Sequence, residues 1–343
     1  ERLACTDVGM ASPKVLMGAV GFAAATYYNV IPRSLVGGIG MIVFGLVGAI
    51  VVYQENILYM PVIQGFSTPA TNPQGYRSPQ DQGMEYEDVT VVSKGDVKVH
   101  GWFIPAKSGS DQVPTVLFCH ENAGNIGLRL QEFGHVQRHL QVNQLVFDYR
   151  GYGYSAGKPS EEGLIADSLA MLDWLQDRAA RGAIDGSKIV LCGRSLGGAV
   201  AVHVAVALES MKIRYPPSCV IVENSFTSIS DMVDCKFPFL NIPFFKEQFL
   251  RLQWRSIDKV GKITMPMLFL ASVQDEIVPF EHMQKLSEAA TSARTKTFHQ
   301  FDATHNDIWV KGGRRYWDAK GSFIKLHAQK RLATDAGKES ETC

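Results

Sequence analysis

The chain has 343 residues, 46% of them hydrophobic and 10% aromatic, which is enough to bury one large α/β domain and leave extra segments outside it. Its 34 Lys and Arg balance 34 Asp and Glu, so no basic excess points to a nucleic-acid partner, and pairs such as Arg314-Arg315 read as solvated. Cys5, Cys119, Cys192, Cys219, Cys235 and Cys343 show neither paired spacing nor a C-x-x-C, so neither a disulfide framework nor a metal site is expected, and no cofactor is called for.

Residues 1–34 form an N-terminal apolar segment. Within it, 15–31 contains Asn29 and is followed by Pro32; a second span, an interfacial helix and the remains of a targeting segment all fit it. The chain starts at Glu1 rather than Met, which reads as a processed or truncated form. The transmembrane expectation falls on residues 35–54. Residues 35–53 carry no charge, and as a helix they span about 28 Å, close to a hydrocarbon core of roughly 30 Å. Arg2, Lys14 and Arg33 precede this span and no Lys or Arg follows until Arg77. With a single span, the positive-inside rule then places the rest of the chain away from the cytosol, while the absence of any Asn-x-Ser/Thr sequon pulls the other way. A membrane, endomembrane or organellar, is the expected location, single-pass or with two N-terminal spans.

Residues 55–84 read as an irregular connector rich in Pro, Gly, Ser, Thr and Asn. Residues 85–330 read as one α/β domain. It opens with alternating strands at 86–92 and 97–104, whose Gly95-Asp96 junction suits a tight hairpin. Strands then alternate with helices: strand 115–119, helix 127–140, strand 144–148, helix 161–180, strand 189–192, helix 196–208, strand 219–222. Such alternation predicts a mainly parallel sheet covered on both faces, with functional groups at the carboxyl ends of its strands. The segment 230–263, with Phe237-Pro238-Phe239-Leu240 and Phe244-Phe245, reads as a small helical lid lining an acyl pocket, or as a helix pair that finishes the core. The polar tail 331–343 follows.

Gly193-Arg194-Ser195-Leu196-Gly197 is a G-x-S-x-G between a run of strand formers and a small-residue helix. In that context the motif is a nucleophile elbow, a strained turn that lifts the Ser195 hydroxyl above the sheet. A serine nucleophile needs a base, and the base needs an orienting acid, in the chain order Ser, Asp/Glu, His. Asp275 follows an apolar strand in Ser272-Val273-Gln274-Asp275-Glu276; Glu276 beside it is expected to point away from whatever Asp275 faces. His305 stands in the polar loop Ala303-Thr304-His305-Asn306-Asp307. The oxyanion donors are expected to be the backbone N–H of Leu196 and that of Asn122, in the loop His120-Glu121-Asn122-Ala123-Gly124-Asn125.

Taken together, the chain resembles the alpha/beta-hydrolase domain-containing protein 13 family, also called bud-emergence-46-like, and especially its plant Wavy Growth 2 branch. Further matching stretches are Tyr59-Met60-Pro61-Val62, Asp148-Tyr149-Arg150-Gly151-Tyr152-Gly153, Val222-Glu223-Asn224-Ser225-Phe226 and Gln274-Asp275-Glu276-Ile277-Val278-Pro279, in order along residues 50–327. The resemblance implies an alpha/beta-hydrolase fold, a membrane anchor before the domain, and Ser195, Asp275 and His305 as the catalytic triad. Many members of the family carry Gly where this chain has Glu121. Either Glu121 adopts the same backbone with little loss, or its carboxylate points into the site and disfavours a second negative charge there.

The reading that follows is a membrane-anchored serine hydrolase acting on an ester or thioester of a lipid or acylated protein. The competing reading is a structural subunit of a membrane complex that has kept a hydrolase fold, which Glu121 and the long apolar N-terminus would suit.

Overall fold

The computed structural model describes residues 32–238, 241 and 243–328. The apolar stretch 15–31, the tail 331–343 and residues Phe239, Leu240 and Ile242 of the aromatic segment lie outside them.

Eight strands make one sheet: β1 (Glu87–Ser93), β2 (Val97–Ile104), β3 (Thr115–Cys119), β4 (Asn143–Phe147), β5 (Ile189–Arg194), β6 (Cys219–Glu223), β7 (Met267–Ser272) and β8 (Lys296–Phe301). Their order is β1-β2-β4-β3-β5-β6-β7-β8. β1 pairs antiparallel with β2 and β2 with β4, while every other pairing is parallel. The hairpin turn Lys94-Gly95-Asp96 closes on the Ser93–Val97 pair, with Gly95 and Asp96 both left-handed.

The central strands are buried along their whole length because both faces are covered. Period-two alternation divides their side chains between two cores. Leu191, Val220, Val222, Met267 and Phe269 face α3 (Glu161–Ala180, named here with the helices that follow) and its neighbours, whereas Val190, Cys192, Ile221, Leu268 and Leu270 face the opposite layer. In chain order the helices are α1 (Arg33–Leu58), α2 (Leu130–Leu140), α3, α4 (Leu196–Glu209), α5 (Ile229–Lys236), α6 (Pro243–Phe249), α7 (Ile257–Val260), α8 (Phe280–Ala289), α9 (Ile308–Lys311) and α10 (Gly313–His327). α3, α4, α7 and α8 contribute to the first core, and α2, α9 and α10 to the second.

α1 is the apolar helix expected near the N-terminus. Its stretch Gly40–Leu58 is long and apolar enough to cross a membrane, and almost none of it is buried against the rest of the chain. The backbone leaves helical geometry at Tyr53 (φ −100, ψ 15), then turns helical again as far as Leu58. In the segment 230–263, two short helices are followed by an extended run that buries Leu252 and Trp254, and then by α7.

Candidate active site

Ser195 stands between β5 and α4 with φ 54 and ψ −120, a conformation a non-glycine residue holds only when its surroundings impose it. Its N–H donates to Glu223 O at 2.9 Å and its carbonyl accepts from Ser225 Oγ at 2.8 Å, so strand β6 fixes the turn. The flanking glycines are steric requirements. A Cβ on Gly193 would lie 2.0 Å from Gly197 O, and one on Gly197 would lie 2.0 Å from Cys119 O. Ser195 is 6% exposed.

His305 and Asp275 meet at the carboxyl ends of β7 and β8. His305 Nδ1 lies 2.7 Å from Asp275 Oδ2, with both side chains almost wholly shielded from solvent. Asp275 Oδ1 accepts from Ile277 N and Val278 N at 2.9 and 2.7 Å, so this carboxylate also caps its turn. An ionised Asp275 accepts at Oδ2, which puts the His305 proton on Nδ1 and leaves Nε2 as the basic nitrogen. Glu276 departs from expectation: its Oε2 accepts from His305 N at 3.1 Å, because the loop after β8 folds back over the turn.

Asn224 stands in one of the matching family stretches but is given no role there, and it holds the His305 loop. Its Nδ2 donates to His305 O at 2.9 Å and to Ser272 Oγ at 3.0 Å, and its Oδ1 accepts from Ser272 N at 2.8 Å. Its left-handed φ of 42 directly after β6 is the local trace of that task. Asn224 and Ser225 thereby join the Ser195 turn to the His305 loop, although no hydrogen bond between Ser195 Oγ and His305 occurs among the described residues. Serine–histidine contacts of working hydrolases commonly tighten only when substrate binds.

Neither Leu196 N–H nor Asn122 N–H donates to a protein group among the described residues, as an oxyanion pair requires. The carbonyl and the side-chain amide nitrogen of Asn122 are both engaged. Its carbonyl accepts from Met60 N at 2.9 Å and from Tyr152 OH at 2.8 Å, and its Nδ2 donates to Leu58 O at 2.8 Å.

Glu121 is 8% exposed and its carboxylate lies between two arginines. Arg194 Nη1 is 3.0 Å from its Oε1, and Arg129 Nε donates to its Oε2. Burial alone would raise this carboxyl, but Arg129 and Arg194 outweigh it and hold the group well below the usual carboxylate range. Arg194, the variable residue of the G-x-S-x-G motif, also pairs with Glu132 and with Glu223 (3.4 Å); Lys320 Nζ and Tyr316 OH reach Glu223 Oε1 at 2.5 and 2.9 Å. Three acids and three bases thus form a buried network beneath the elbow. Its members come from separate elements, and nothing in their spacing announces it.

A cleft of ≈ 400 Å³ opens over these groups, walled by Met60, Asn122, Arg129, Arg194, Ile277 and His305 among others. Ser195 lies next to its wall residue Arg194 rather than in the wall itself. Two larger surface grooves, ≈ 660 and ≈ 680 Å³, lie along α10 and contain none of the candidate residues.

The sheet, the elbow and the His–Asp pair at the carboxyl ends define an alpha/beta hydrolase, and a family model described as an alpha/beta hydrolase fold matches residues 158–250. The esterase Pf2001 of Pyrococcus furiosus superposes with a TM-score of 0.59 at 22% identity, covering 73% of this chain and 94% of the esterase, which is a likeness of fold. The alpha/beta hydrolase domain-containing protein WAV2 of Arabidopsis thaliana is 38% identical over 88% of this chain and 97% of its own length. Protein bem46 of Schizosaccharomyces pombe is 33% identical over 89% and 96%. The chain belongs to this bud-emergence-46-like family of alpha/beta hydrolases.

Proposed function

We propose that the chain is a membrane-anchored serine hydrolase that cleaves an ester or thioester through an acyl-enzyme. His305, oriented by Asp275, takes the proton of Ser195 as its Oγ attacks the carbonyl; Leu196 and Asn122 N–H groups hold the oxyanion; His305 then returns the proton to the leaving group, and water repeats the sequence to free the acid. The observation that carries this reading is the 2.7 Å His305–Asp275 contact at the strand ends that also present Ser195 in its strained turn. A lipid or acylated protein as substrate is supported by the exposed apolar length of α1 and by the adjoining segment 230–263, read as the lid. The alternative of a structural subunit leaned on Glu121 and on the long apolar N-terminus. The pairing of Glu121 with Arg129 and Arg194 supports the catalytic reading over that one, because the carboxylate is neutralised at the wall of the cleft.

The test is labelling of the detergent-solubilised protein with a tagged fluorophosphonate. The native chain and Glu121→Gln are expected to label and Ser195→Ala to remain blank. A blank native chain would sink the reading.

A further inference from the structure

The last turn of the apolar helix does not end in a free linker. Gln54 Nε2 donates to Phe249 O at 3.1 Å, and its Oε1 accepts from Arg251 N at 2.7 Å and Leu252 N at 3.1 Å, tying the helix to the run that follows α6. Tyr59 is buried, and its hydroxyl accepts from Trp254 Nε1 at 3.1 Å. Immediately beyond, Met60 forms a one-residue parallel bridge to the loop after β3: Met60 N donates to Asn122 O, and Gly124 N donates to Met60 O at 2.8 Å. With the bond from Asn122 Nδ2 to Leu58 O, three hydrogen bonds from residues 58–60 hold the side chain and carbonyl of Asn122 and the N–H of Gly124, and so fix the residue from its C-terminal side, while the carbonyl of the peptide that carries the Asn122 N–H, Glu121 O, lies 2.6 Å from His120 Nδ1.

We infer that the helix exit, Gln54 through Met60, is a positioning element of the oxyanion hole, so that the anchor sets catalytic competence as well as location. This rests on the serine-hydrolase reading above. An oxyanion donor works only if its direction is fixed before the charge develops. Other tethers hold the loop on either side of Asn122: His120 Nδ1 at Glu121 O, Arg129 and Arg194 on the Glu121 carboxylate, Tyr152 OH at Asn122 O, and Arg129 on the Ala123 and Asn125 carbonyls; the Asn122 side chain itself is left to Leu58. A helix drawn outward by a few ångströms would take Leu58 O and Met60 N with it and turn the Asn122 N–H away from the elbow.

The experiment uses the full chain in lipid nanodiscs, with a p-nitrophenyl butyrate assay, fluorophosphonate labelling and amide hydrogen exchange of the 121–125 loop. Met60→Pro deletes the N–H that reaches Asn122 O; Tyr59 before it already has the extended φ −93, ψ 112 that a residue preceding proline prefers. Met60→Leu keeps that N–H. Asn122→Ala keeps its own N–H and loses only the tether to Leu58 O. The expected result is that Met60→Pro and Asn122→Ala each lower kcat by about tenfold, the equivalent of one net hydrogen bond, with KM within about twofold. Loop exchange should quicken in both, and Met60→Leu should match the native chain. Native kcat and native loop exchange in both variants would overturn the inference. If the native chain neither labels nor turns over, the serine-hydrolase reading is the one that fails, and loop exchange alone then decides whether the helix exit orders the loop. Should Met60→Pro not fold, Asn122→Ala and Gln54→Ala carry the same comparison.

Discussion

Asp148 is wholly buried, accepts a bond from Ile126 N to Oδ1 at 2.8 Å, and leaves Oδ2 without a protein partner. Burial pushes its carboxyl from 3.8 up to about 7. Between those values the unfolded chain has released the proton while the folded chain still holds it, so stability falls as pH rises through that window and stays reduced above it. Asp148→Asn keeps an acceptor for Ile126 N and removes the charge. Melting curves should show the variant gaining on the native chain by about 2–3 kcal/mol between pH 5 and pH 8, whereas a constant gap would refute the assignment. His120 slopes the other way. Burial, helped by Arg129, lowers its pKa from 6.5 to about 3, so its contribution is lost as pH falls through that range. Asp148 stands in a stretch that sequence comparison alone singles out, yet an Asp-Tyr-Arg-Gly pattern does not say which way the carboxylate faces. Ser195, Asp275 and His305 were legible as candidates because a serine triad needs a fixed order and each of them follows a strand. Asn224 and Arg194 were not, since a helper residue obeys no such order.

α3 begins with a legible signal: Ser160 accepts from Gly163 N at 3.1 Å, with Glu161 and Glu162 in the first turn, where carboxylates favour the helix dipole. Glu161 also does something its position does not advertise. Its Oε1 accepts from Gln253 N at 3.0 Å and from Trp254 N, holding Trp254 in a left-handed conformation with φ 40. Removing that acceptor leaves two donors unsatisfied, so Glu161→Ala should cost about 2–4 kcal/mol and expose the run 249–254 to limited proteolysis before global unfolding. Unchanged melting and an unchanged cleavage pattern would count against it. The strands and long helices were readable from periodicity, most ends being displaced by a residue or two, although the helix expected from 127 is a 3-10 turn until Leu130 and the apolar helix runs on to Leu58. The Met60 bridge left no period to read, and the expected helix end at Tyr53 marks a real break in geometry with a further turn beyond it.

At the scale of the whole molecule, zero net charge gives no overall electrostatic pull toward a charged surface, so the membrane attachment proposed above would rest chiefly on apolar area. α1 offers Met41, Phe44, Leu46 and Val52, all exposed. Phe44→Arg places a charge near the middle of the apolar run, which costs about 2.5–3.5 kcal/mol on insertion; a corresponding shift from the carbonate-washed membrane pellet to the supernatant is expected, and full retention would contradict the anchor. The bond between Asn122 and Leu58 then sets a working height. Tyr53 and Leu58 are five residues apart, about 8 Å along a helix, comparable with the headgroup layer of one leaflet. On the membrane-anchored reading proposed above, the cleft would then stand within about one headgroup layer of the ester groups at the hydrocarbon edge. Turnover should follow the mole fraction of substrate in the membrane plane, and diluting a lipid substrate with inert lipid should slow the reaction even when its bulk concentration is held constant.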